Sequence, residues 1–508
     1  MKIVCNLLRS ALLLLAWIAL GGDITAQKLI NYTSGMGTRD IDNPNVWILY
    51  QGVRAEHDGM LLFADSALLD MEKNDFTAFG NIEIVISDTT TIWGDQLYYD
   101  GNERIAHVWD DTVVLVDGET VLLSPQLKYD RNTSIASYSR WGHGVNNGRI
   151  LDSKNGMYNS ETDVFFAEGD VVLMDSSSRL ETDSIYYNTQ TTIANIVCAT
   201  HIYQDTSMVY SELGSYNSST GMAISEKGSH LVSGSTTLDC DLLHYYEKEK
   251  KGYAWGNVVI IDTANDIVCT SKYGTTDQRN HESFVTDSAL VKIKYEKDTI
   301  WIHADTLFIV NDSADKLKTL RAFYHVKVYR NDAQGKCDSL FYQSSDSIAD
   351  MFGSPIMWYE YYQCTADTIS VKHDSAGICQ TWFRTNAMAV EKVDMEKYNQ
   401  LKGKQGVAYF TDGEPSYVDI LGNSQMVYYV TDEDAQGRKS LIGVNAGVGA
   451  DMRIYIKNQK PIRMVTYSNP DMHTYPLNKL PQEEKQLKGF SWQESSRPRK
   501  PLDVMTWE

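Results

Sequence analysis

Pairs of apolar side chains two positions apart recur along this chain. They are Leu97 with Tyr99, Leu127 with Tyr129, Ile185 with Tyr187, Leu243 with Tyr245, Leu307 with Ile309 and Leu340 with Tyr342. In a strand, residues two apart point to the same face. The chemistry open to such pairs is burial of hydrocarbon, worth roughly 0.8 kcal/mol per CH₂ removed from water. Polar candidates are fewer. Asp110-Asp111 and Asp432-Glu433-Asp434 bring carboxylates together. As an acid–base pair or a calcium site, these lack the partners and the loop spacing that such chemistry needs. Acidic residues at strand ends ordinarily sit in solvated turns. The chain has no G-x-G-x-x-G, P-loop, H-E-x-x-H or G-x-S-x-G motif, and its His residues are scattered. The expectation is a binding protein rather than an enzyme, with no cofactor and no metal.

The elements that would carry the pairs follow from a repeat. A small or polar residue, an acidic or polar residue, then apolar residues two and four places on, recur as Ala64-Asp65-Ser66-Ala67-Leu68-Leu69, Gly94-Asp95-Gln96-Leu97-Tyr98-Tyr99, Thr182-Asp183-Ser184-Ile185-Tyr186-Tyr187 and Cys337-Asp338-Ser339-Leu340-Phe341-Tyr342. The anchors fall at 65, 95, 125, 154, 183, 212, 241, 271, 305, 338 and 367. A second landmark lies between anchors: Gly80-Asn81-Ile82, Gly169-Asp170-Val171 and Gly256-Asn257-Val258. Gly-Asn and Gly-Asp suit a backbone bend or bulge, and β-branched residues follow. Each period of about thirty residues therefore predicts two strands plus turns. The anchor Asp residues are expected to set register or turns rather than to bind metal. One such unit cannot bury its own face, so neighbours must stack on it. The predicted fold is all-β: an elongated repetitive antiparallel stack, solenoid-like or an opened jelly roll.

Composition agrees with this reading. Of 508 residues 43% are hydrophobic and 11% aromatic, which excludes a disordered chain. The net charge of −21 excludes a basic nucleic-acid binder. Lys2, Arg9 and the apolar run Ala11–Leu20 predict an export signal ending near Ala26. Six cysteines follow it, Cys198, Cys240, Cys269, Cys337, Cys364 and Cys379, without a C-x-x-C. A zinc site is not expected, and small buried side chains are at least as good a reading of them as disulfides. Hairpin pairing about Asp374–Gly377 would set Cys364 opposite a residue well past Cys379. The organisation expected is a leader over 1–26, a domain over 27–275, a second over 276–469, and a Pro-rich tail over 470–508 lying extended or packed along the stack.

The repeated A-D-x-L-x-Y followed by A-x-G-N-V-x-V resembles the OstA-like family of lipopolysaccharide-transport proteins, which includes LptA and the N-terminal domain of LptD. Gly80-Asn81-Ile82-Glu83-Ile84 and Ala254-Trp255-Gly256-Asn257-Val258-Val259-Ile260 carry the resemblance. Asn399–Lys404, Ala408–Phe410 and Val418–Ser424 are similar to the part of the LptD branch that precedes its barrel. Leu487–Trp492 is similar to OstA-like proteins of the Bacteroidetes type. The resemblance implies a periplasmic, outer-membrane-associated β-jelly roll that holds lipid A acyl chains along the twelve paired residues named first. It also implies end-strand pairing with other such folds or with an LptD-like outer-membrane barrel. A barrel does not fit in this length. The acidic balance implies that lipid phosphates stay in solvent. The rival reading is a secreted structural β-solenoid, an adhesin or scaffold with a closed core.

Overall fold

The computed structural model describes residues 28–295, 298–375, 377–433 and 439–507. The expected leader lies outside them, as do Ala376 and Asp434. Among the described residues there are 38 strands, paired antiparallel, and no α-helix. The chain divides into two compact units, up to Thr200 and from His201.

In the first unit the repeat becomes a meander. Strands Val46–His57, Met60–Asp70, Asp75–Val85, Thr90–Asp100, Ile105–Asp117 and Thr120–Asp130 pair in succession. Alternation puts one set of side chains inside: Phe76, Ala78, Ile82 and Ile84 of one strand are all buried. In the middle of that strand Gly80 and Asn81 take left-handed backbone, φ 76° and 44°. The register shifts there between Phe79 and Ile82. Such a bulge bends a strand and raises its local twist. Both halves therefore keep their apolar side chains on the interior. The same pair of conformations recurs at Gly169-Asp170 in this unit and at Gly256-Asn257 and Gly422-Asn423 in the other.

At one end of the strands the turns repeat as well. Asp70 Oδ1 accepts the backbone N–H groups of Glu72 and Lys73. Asp100, Asn159 and Asn188 do the same for the residues two and three ahead. These side chains satisfy turn donors that no ladder reaches. They also explain why acidic residues mark strand ends. At the start of the chain, Asn31–Thr33 and Met36–Arg39 both pair with Val46–His57.

The second unit repeats the pattern with longer strands. The 34-residue interval between anchors 271 and 305 is taken up by Glu282–Tyr295 and Asp298–Asn311, 14 residues each. Further on, Gly377–Asp394, Glu414–Glu433 and Lys439–Lys457 reach 18, 20 and 19 residues. Lys460–Tyr467 and Asp471–Tyr475 both pair with Lys439–Lys457. The tail after Tyr475 forms no strand among the described residues. It packs back over the sheet, with Leu480 buried among Val427, Tyr429, Val444 and Ala446.

Candidate functional site

The twelve paired residues all belong to the inward face, but they do not share one environment. In the first unit Leu97, Tyr99, Leu127, Tyr129, Ile185 and Tyr187 are at most 2% exposed. The phenols of Tyr99 and Tyr129 meet internal partners. Tyr99 Oη lies 2.7 Å from His57 Nδ1, and burial pushes the phenol up to about 12. Tyr129 Oη lies 3.4 Å from Ser160 Oγ. In the second unit Leu243, Tyr245 and Leu307 are fully buried, and Ile309 is nearly so. Tyr245 Oη donates to Ser207 Oγ at 3.2 Å and accepts from Gln278 Nε2 at 3.3 Å. Ten of the twelve therefore sit in closed packing. Leu340 and Tyr342 differ, because both line an internal opening.

That opening is a cavity of about 330 Å³ in the second unit. Ile300, Ile302, Leu320, Leu340, Met351 and Met357 are among the apolar residues of its wall. Arg330 and His373 reach it as well. The Arg330 guanidinium is held by both carboxylate oxygens of Asp332, each at 2.5 Å, so its charge is answered locally. Burial depresses the His373 imidazole below its ordinary range. A neutral ring against aliphatic side chains leaves the wall suited to hydrocarbon.

A second cavity, about 140 Å³, adjoins it and shares Met357. Phe383, Leu401, Ile420, Met426 and Met464 line it, together with Cys364, whose thiol burial pushes up to about 12. Methionine thioethers are flexible and fill irregular space, so such a wall can adjust to a variable chain. The larger cavity lies in the range of small-ligand sites, roughly 300–1,000 Å³.

The repeat alone does not reveal these wall residues. Most lie beyond or between the paired positions, on strands that cross the interior at greater length. The signal in the sequence is the run of methionines at 351, 357, 388, 426, 452 and 464, combined with loss of the regular anchor after Asp367.

Asp110 and Asp111 border an open polar pocket together with Asp95 and Arg140. Asp110 and Asp111 are exposed, and Asp110 Oδ1 accepts the Asp111 backbone N–H at 2.6 Å. No group of three His, Cys, Asp or Glu suited to a metal occurs among the described residues. The anchors engage the bulges instead: Asn257 Nδ2 donates to Asp241 at 3.0 Å and Asn386 Nδ2 to Asp367 at 3.1 Å. All six cysteines after the leader are free. Cys364 pairs in register with Ala389, well past Cys379. No helix among the described residues is long and apolar enough to cross a membrane.

Among curated proteins, none matches the chain. A family model described as OstA-like protein matches it twice, over residues 30–183 and 161–300. The matches end at residue 300, within the strands that line the larger cavity and before the 399–424 block. Together they cover more than half of the sequence, and the bulged antiparallel repeat they span is the architecture described above. The family is one of binding and transport proteins associated with lipopolysaccharide, and its setting is periplasmic. The chain belongs to the OstA-like protein family.

Proposed function

We propose that this protein binds the acyl chains of a lipopolysaccharide-type glycolipid in the interior of its second unit, and serves transport of that lipid across the periplasm for outer-membrane assembly. The observation that carries this reading is the pair of adjoining apolar cavities that share Met357. The ten paired residues other than Leu340 and Tyr342 lie in close packing. A relay must not hold its cargo too firmly. At roughly 0.8 kcal/mol per buried CH₂, several fully enclosed chains would not leave on a useful timescale. Two modest cavities with adaptable walls bind part of a chain and release it. The lipid phosphates stay outside, since the chain's charge of −21 repels them. Its partners on this reading are other OstA-like folds, or an LptD-like barrel, joined by end-strand pairing. Unpaired edge strands are templates for such addition.

A photoactivatable glycolipid whose acyl chain carries the crosslinker tests this. Labelling is expected at peptides containing Met351, Met357 and Leu401, and none at Tyr187 or Leu243. Labelling no greater than that of an exposed control peptide would remove the proposal.

The closed seam of the first unit favours a second reading, a structural β-stack with a sealed core. On that reading no acyl chain is taken up anywhere, and the same crosslinking experiment separates the two.

A further inference from the structure

In the second unit a row of cross-strand neighbours runs beneath the C-terminal tail. Gln334 lies opposite Trp358, Trp358 opposite Gln363, Gln363 opposite Val390, Val390 opposite Gln400, and Gln400 opposite Val427. All six are buried. What covers them is the C-terminal tail.

The covering is specific. Gln400 Oε1 accepts the Leu487 backbone N–H at 2.8 Å while its Nε2 donates to the Lys485 carbonyl at 2.8 Å. Gln363 repeats this pattern six residues along the tail. Its Oε1 accepts the Gln493 N–H at 2.7 Å and its Nε2 donates to the Ser491 carbonyl at 2.9 Å. Each side-chain amide thus takes a carbonyl and the N–H two residues later, as one residue of a parallel neighbouring strand would. Gln334 Oε1 then accepts from Arg497 Nε at 2.7 Å. Lys327 Nζ reaches the Thr506 carbonyl, and the Trp507 ring lies over Lys336 Nζ.

A face meant only to be sealed would use apolar residues at these positions, as Val390 and Val427 do. A buried amide without partners costs stability. Two glutamines whose donor and acceptor both meet a passing main chain are built for a peptide.

From this we infer that the row is a peptide-docking site, that residues 485–507 are its resident ligand held in cis, and that the same segment of a second copy can take its place. Residues 485–507 add no strand to the sheet, and upstream of them the exposed Asn478 and Lys479 lie between Leu477 and Leu480, which pack on the Val427 cluster. The segment's hold therefore rests on side-chain amides and a few anchors rather than on a continuous ladder. The inference does not rest on lipid filling the cavities, although Gln334 borders the larger one and Gln400 and Val427 the smaller.

The test uses the full chain with a protease site inserted between Asn478 and Lys479, cut after folding. A fluorescent peptide of residues 482–507 should exchange into the cut protein and raise its anisotropy. Uncut protein should bind the peptide at least a hundredfold more weakly, because its own tail competes at high local concentration. A peptide N-methylated at Leu487 and Gln493 carries methyl groups in place of the two N–H hydrogens that the glutamines accept, and should bind at least tenfold more weakly than the unmodified one. A cut tail that does not exchange with excess peptide would make the segment an integral part of the fold and overturn the proposal. Exchange indifferent to N-methylation would overturn it equally.

Discussion

The side-chain amide of Asn81 donates to the Asp65 carboxylate at 2.8 Å, from a residue in left-handed backbone to the anchor on the neighbouring strand. The two recurring landmarks of the sequence are thus halves of one device. The bulge bends the strand, and the anchor ties the bend to its neighbour. Gly80 at φ 76° is the tight element, since a Cβ there would lie 2.5 Å from Asp65 Oδ2. Gly80→Ala should cost about 1–2 kcal/mol from backbone conformation alone, with the clash added. Asp65→Ala, which removes one exposed bond, should cost about 0.5–1.5 kcal/mol. Urea unfolding of both variants checks the order. A costlier Asp65→Ala would mean that the bond, not the steric fit, governs the bend.

The closed part of the seam should behave as plain core. Leu97 is 1% exposed, and Leu97→Ala should destabilise by about 2–5 kcal/mol. Tyr342→Phe removes a hydroxyl at the wall of the larger cavity, leaves the aromatic ring in place and should cost far less. Equal losses in chemical denaturation would contradict the distinction drawn between the two environments.

Filling the shared wall should separate binding from folding. Met357→Trp adds bulk where the two cavities meet and should lower affinity for a fluorescent fatty-acid probe at least tenfold. The circular dichroism spectrum should remain that of an all-β chain. Undiminished probe binding would place the hydrocarbon site elsewhere.

Acid should weaken the fold in two stages. Burial holds the imidazoles of His107, His303 and His373 below the ordinary value of 6.5. Below pH 6.5 the unfolded chain therefore binds protons that the folded one refuses. Stability is complete above that value and falls as pH drops through it. The carboxyls of Asp70 and Asp312 lie below 3.8, held first by the backbone N–H groups of Lys73 and Lys316. Their contribution is present above that range and lost beneath it. Urea midpoints at pH 7.5, 6 and 5 should decline, and His303→Gln should flatten part of the decline. A constant midpoint would show that the buried imidazoles do not contribute.

Thiol reactivity should follow environment. Thr182 and Ser184 hydrogen bonds pull the half-buried Cys198 thiol down against the opposing effect of burial. Burial pushes Cys269, Cys337 and Cys364 up to about 12. Iodoacetamide should modify Cys198 first and those three only after denaturation. Early labelling of Cys269 would show that the interior opens.

The sequence by itself determined the all-β class, the thirty-residue repeat, the bulge positions and the inward orientation of all twelve paired residues. Each of these depends on chain neighbours: alternation along one strand, a glycine where φ is positive, an Asp or Asn two residues before a turn amide. Only the tertiary structure decided which stretch of the apolar face is packed shut and which leaves space. That depends on how side chains from strands far apart in sequence fill a common volume, and no local period encodes it. Leu97 and Leu340 occupy equivalent places in their repeats, yet one is sealed and the other borders a cavity. The course of the tail was equally beyond local reading. Its prolines predicted a tail either extended or packed along the stack, and Gln363 and Gln400 lie more than eighty residues upstream of the residues they hold.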